Sequence, residues 1–152
     1  MGAGALGLAA AAAVLVLGLS LAHADSRVNR LTGALARAQR GVVASALATP
    51  GHRVVDLRAG STRVASFVLV PDGRGYLMNA SMAPLSAGRT YQLWAIVGGK
   101  PVSLGLMGRA PGPVVFTLAD ASGASALAVT IEPANGSSVP SSAPVAQGSI
   151  SA

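Results

Sequence analysis

From Arg53 onward the chain is a succession of short β-prone runs, each closed by glycine or proline, and this punctuation restricts it to an all-β fold. The runs are Arg53 to Leu57, Arg63 to Val70, Gly75 to Ser81, Thr90 to Val97, Pro101 to Met107, Val114 to Ala119 and Ala126 to Glu132, with a weaker one near Val145. Between them lie Pro71-Asp72-Gly73, Ser86-Ala87-Gly88, Gly98-Gly99, Pro111-Gly112-Pro113 and Ser122-Gly123. Seven or eight strands at this spacing, with no helical pattern between them, imply a β-sandwich or barrel, and an antiparallel sandwich is the fold expected.

The central strand is marked by its aromatics. Aromatic residues make up only 3% of the chain, yet the single tryptophan and one of two tyrosines fall within Thr90-Tyr91-Gln92-Leu93-Trp94-Ala95-Ile96. Alternation puts Tyr91, Leu93 and Ala95 on one side and Gln92, Trp94 and Ile96 on the other. Both sides carry apolar bulk, which suits a strand buried on one face by a sheet and covered in part on the other by a loop. Val114, Phe116 and Leu118, and Leu127, Val129 and Ile131, repeat the period of two and are expected to share the core.

The amino-terminal part has a different texture. No charged side chain occurs from Met1 to Ala24, and Ala3 to Ala22 is an apolar run dominated by Ala, Leu and Val. About 20 such residues cross a hydrocarbon core of roughly 30 Å as a helix, so residues 1–24 are expected to form a transmembrane helix or uncleaved signal anchor. Ala22-His23-Ala24 also has the small-x-small form of a signal-peptidase site. Gly2-Ala3-Gly4-Ala5-Leu6-Gly7 fits the pattern G-x-G-x-x-G, but a dinucleotide site needs a strand before it, an amphipathic helix after it and an acid about 20 positions on. Close helix packing in a bilayer explains these small residues more simply.

Residues 25–50 read as a basic neck. Seven arginines face two aspartates between Asp25 and Arg63, whereas the chain beyond is nearly neutral. Val28, Leu31, Leu35, Ala38 and Val42 recur at spacings of three and four among Arg27, Arg30, Arg37 and Arg40, the pattern of an amphipathic helix. Such a helix packs its stripe on a partner or on its own domain, or adheres to anionic headgroups at about 1 kcal/mol per basic residue. No aromatic interleaving or basic motif points to nucleic acid. Thr49-Pro50-Gly51-His52 ends the helix and opens the domain of residues 51–152.

No catalytic constellation emerges, and no cofactor is expected. Cysteine is absent, which excludes a thiol nucleophile, a thiolate metal site and a disulfide scaffold. His52 with Asp56 is the only nearby base and acid, in a linker poorly suited to hold catalytic geometry. Glu132 ends a hydrophobic strand before Pro133, where its carboxylate accepts hydrogen bonds from the following turn, pairs with an arginine such as Arg89, or contacts a ligand. Trp94 reads as a packed residue.

Read together, Ala83-Pro84-Leu85-Ser86-Ala87-Gly88-Arg89-Thr90-Tyr91-Gln92-Leu93-Trp94, Pro101-Val102-Ser103-Leu104-Gly105, Val129-Thr130-Ile131-Glu132-Pro133-Ala134-Asn135-Gly136-Ser137 and Pro140 resemble the carboxy-terminal, extracytoplasmic domain of the RskA family of anti-sigma-K factors. The resemblance covers roughly Val54 to Ile150 and marks Tyr91, Leu93, Trp94, Gly105, Glu132, Pro133, Gly136 and Pro140 as family-motif positions with a structural role. Ala134-Asn135-Gly136 stands where the family often has two glycines after Glu-Pro, and Pro140-Ser141-Ser142 where it tends to have Pro-Thr. The resemblance implies a non-enzymatic, single-pass protein of the bacterial cell membrane, with the lipid bilayer and membrane proteases as partners. Regulated proteolysis outside and then within the membrane would release a sigma factor. The sigma-binding amino-terminal domain has no counterpart in these residues, so a sigma factor is a partner only through an upstream segment. That segment would also carry the topogenic charges, because here Lys and Arg follow the apolar run, which by itself favours the opposite orientation. The alternative is a cell-surface or secreted β-sandwich binding module with no transcriptional role.

Overall fold

The computed structural model describes residues 30, 33–112, 114–118 and 123–150. The chain divides after Gly41 into two compact units. One helix, α1 (33–48), is described, and its turns from Val42 onward belong to the second unit together with all the described strands. No helix among the described residues is long and apolar enough to cross a membrane. The expected span over 1–24, and residues 25–29 and 31–32 of the expected neck, lie outside the described residues.

Eight strands follow: β1 (Arg53–Ala59), β2 (Thr62–Leu69), β3 (Arg74–Ala80), β4 (Arg89–Val97), β5 (Lys100–Gly108), β6 (Val115–Thr117), β7 (Ala124–Pro133) and β8 (Ala146–Ser149). They form one antiparallel sheet in the order β5-β4-β7-β8-β1-β2-β3-β6. A sandwich of two sheets was the expected fold, and the structure corrects it to a single sheet rolled toward a barrel, whose end strands β5 and β6 touch. The reason is β8. It pairs with β7 through Ala126↔Ser149 to Val129↔Ala146 and with β1 through Arg58↔Gln147, so it joins two groups of strands that would otherwise be separate sheets. Register shifts in β1, β2, β4 and β5 supply the bends that rolling requires.

The interior draws on every strand. Val55 and Leu57, Ala65, Phe67 and Leu69, Leu77, Tyr91, Leu93 and Ala95, Met107, Phe116, Leu127 and Val129, and Ala146 form one buried cluster. Phe67 meets Phe116 edge to face, with centroids 5.4 Å apart, and this contact fixes the short strand β6.

Two strand pairs are covered on their outer face as well, which accounts for their lack of polar alternation. Over β2 and β3, Val68, Val70 and Tyr76 pack with Ala46 of α1 in a second cluster, joined by the partly buried Val43, Leu47 and Met78. Of the apolar stripe read from the sequence, Val42 lies in this unit and is 45% exposed, so it is not the residue that docks here. In a helix so rich in alanine almost any face is weakly apolar, and the docked face is the one carrying Val43 and Leu47. Over β4 and β7 lies the segment 134–145, a strap connecting β7 to β8.

Candidate functional site

The strap is held by a buried carboxylate. Strands β4 and β7 pair along their length, with Trp94↔Ala128, Gln92↔Thr130 and Thr90↔Glu132 in register. Thr130 and Glu132, two apart, share the outer face with Gln92 and Trp94, and all four are buried. Glu132 is the one charged side chain fully buried among the described residues.

Its oxygens are saturated by four donors. The Thr130 hydroxyl donates to Oε1 at 2.5 Å, while the Ser141 amide donates to Oε1 and Oε2 at 3.0 and 3.2 Å. The Ser137 hydroxyl donates to Oε2 at 2.8 Å, and the Ser141 hydroxyl donates to the same oxygen. Behind them, Trp94 Nε1 donates to Thr130 Oγ1 at 2.9 Å, so the indole orients the threonine that orients the acid. Burial on its own would raise the Glu132 pKa. The hydrogen bonds from Ser141, Thr130 and Ser137 outweigh burial and hold the carboxyl down at about 2.

Gln92 grips the other end of the turn. Its Nε2 donates to Ser137 O at 2.9 Å and to Ser103 Oγ at 2.7 Å, and its Oε1 accepts from the Ser137 amide at 2.8 Å. The Ser142 hydroxyl donates to Ile131 O, the Ala134 amide to Gly88 O and the Val145 amide to Val129 O. No buried side-chain nitrogen or oxygen among the described residues lacks a partner.

The structure places the family-motif residues in three groups. Trp94, Glu132, Pro133 and Gly136 lie at the strap, as does Pro140, which immediately precedes the Ser141 donor. Tyr91 and Leu93 point instead into the barrel, where the Tyr91 hydroxyl donates to Ala83 O at 2.8 Å. Gly105 sits at a bulge of β5 opposite Leu93. Of the alternatives read for Glu132, the structure shows hydrogen bonds from the following turn, while Arg89 donates to Ile131 O. His52 Nδ1 lies 3.0 Å from Thr49 O, while Asp56 accepts from Ser66 and Arg63, so the possible base and acid are not joined. Sequence reasoning passed over Gln92, Thr130, Ser137 and Ser141 as parts of the site. A threonine two positions before a buried strand glutamate was the available signal, since a period of two puts both on one face.

Fold and site together define a small antiparallel β domain with an outer strap clamped by one buried acid. A family model described as "Anti-sigma-K factor rskA, C-terminal" matches residues 5–146. The chain belongs to this family. It is similar to the curated proteins named Anti-sigma-K factor RskA from Mycobacterium tuberculosis strains H37Rv and CDC 1551, at 34% identity over 102 residues, covering 65% of this chain. The chain aligns with 44% of those relatives' length, less than half of each. No solved structure matches it.

Proposed function

We propose that the chain is the membrane-anchored, extracytoplasmic regulatory domain of an anti-sigma factor, and that it controls the factor's activity through regulated proteolysis in the neck. Membership of the family of RskA carboxy-terminal domains carries this reading. The charge-free run Ala3 to Ala22 supports a single-pass anchor at the cell membrane, with bilayer lipid and membrane proteases as partners. A sigma factor is a partner only if an upstream domain exists to bind it. The β domain is non-enzymatic in this reading, which the saturation of Glu132 supports: an acid with both oxygens taken by internal donors has none left for a substrate.

The test is an immunoblot of the protein carrying a carboxy-terminal tag in its native cell, before and after the stimulus that raises transcription by its sigma factor. A shortened fragment starting between residues 24 and 50 is expected. A chain that stays intact while transcription rises overturns the proposal, and a soluble product beginning at Asp25 without stimulus favours a secreted binding module.

A further inference from the structure

The geometry points to the last two turns of α1, residues 42–48, being a detachable latch that keeps the segment 42–50 from proteases while docked on β2 and β3. This rests on the reading of the chain as a proteolytically regulated domain, and it locates the protection in a specific contact.

Three observations carry it. The contact is separate from the barrel interior: Ala46, 5% exposed, with Val43 and Leu47, packs on Val68, Val70 and Tyr76 in a cluster of its own. Releasing it therefore leaves the inner core intact. The contact is also narrow. A solvent-open groove of about 440 Å³ borders it, lined by Val42, Ser45, Ala46, Thr49, Pro71 and Tyr76, so one flank of the docked turns is left uncovered by the sheet. Finally, weak points bracket the segment. Gly41, a poor helix former, precedes it, and Pro50 and Gly51, at φ 78°, follow it, so these turns can swing away together.

A helical segment has to open before a protease can bind it in extended form, and cleavage then follows the population of the open state. Docking suppresses that population. Undocking also bares Val68, Val70 and Tyr76, an apolar patch on the outside of the sheet.

The test uses a foreign protease, so that its outcome is independent of cleavage in the cell. The full chain in detergent micelles is digested with thermolysin, and cuts within residues 42–50 are timed by mass spectrometry. Ala46→Asp puts a carboxylate into the cluster with Val68, Val70 and Tyr76, whereas Ala44→Asp makes the same change on an exposed position of the same turn. Cutting should speed up about tenfold in Ala46→Asp and no more than about twofold in Ala44→Asp, with Trp94 emission unchanged in both. Equal rates in the two variants, or no acceleration in Ala46→Asp, overturn the latch. Should Ala46→Asp shift the Trp94 emission, which signals a disturbed sheet, Val43→Ala replaces it. An acceleration of about threefold is then expected, and a wild-type rate refutes the proposal. Absence of a fragment in cells would sink regulated proteolysis while leaving this contact standing.

Discussion

Glu132 shows how an ionised side chain can be buried without a cation. Leaving water opposes its charge, and the hydrogen bonds of four donors reverse the balance, since donors to a carboxylate favour its ionised form. Glu132→Gln places an amide NH₂ among groups that themselves donate. The expected cost is about 3 kcal/mol in urea denaturation, with the m-value retained. The sign with pH follows from the lowered pKa. The unfolded chain binds the Glu132 proton near its ordinary 4.5 and the folded chain only near 2, so the contribution is complete above 4.5 and is lost as pH falls toward 2. Wild-type stability should decline across that window, and the decline should be shallower in Glu132→Gln. A residue of it persists through Asp56, held low by the Ser66 hydrogen bond, and Asp72, held low by Arg74. That Glu132 meets its own turn was legible from the proline and glycine after it. Trp94 and Gln92 as members of the same network were not, because they arrive through strand pairing and not along the chain.

At the scale of elements, the strap is a connection that works as a covering layer. Its turn depends on Gly136, which has φ 76°, and a Cβ there would lie 2.7 Å from Leu106 Cδ2 and 3.0 Å from Gln92 Oε1. Leu106 is 45% exposed and can yield, but Gln92 is tied to Ser137 and cannot. Gly136→Ala should therefore cost about 1–2 kcal/mol, mostly from the left-handed backbone, and should speed amide exchange at Ser137 and Ser141 before it affects the barrel. The strands were readable from their punctuation to within a few residues. The buried face of α1 was not: hydrophobic periodicity needs contrast between residues, and a helix of alanines with interspersed valine and leucine gives little.

For the whole molecule, the decisive element is β8. It was the weakest run in the sequence, because Ala146, Gln147, Gly148 and Ser149 have little β propensity, and its place was therefore the part of the fold that local reasoning could not supply. A Cβ on Gly148 would lie 2.1 Å from the Asp56 carbonyl oxygen, a backbone atom with no room to move. Gly148→Ala should cost at least about 3 kcal/mol in thermal unfolding and should weaken amide protection in β1 and β7 together. The position of β8 also sets an order in time. Strands β1 to β3 are made early and β4, β5 and β7 later, yet the two groups become one sheet only when the residues after Val145 are in place. A ribosome or translocon delivers the chain from its amino terminus, so closure of the sheet waits on β8, and a chain cut before Ala146 is expected to hold β1 to β3 and β4, β5 and β7 as unjoined groups.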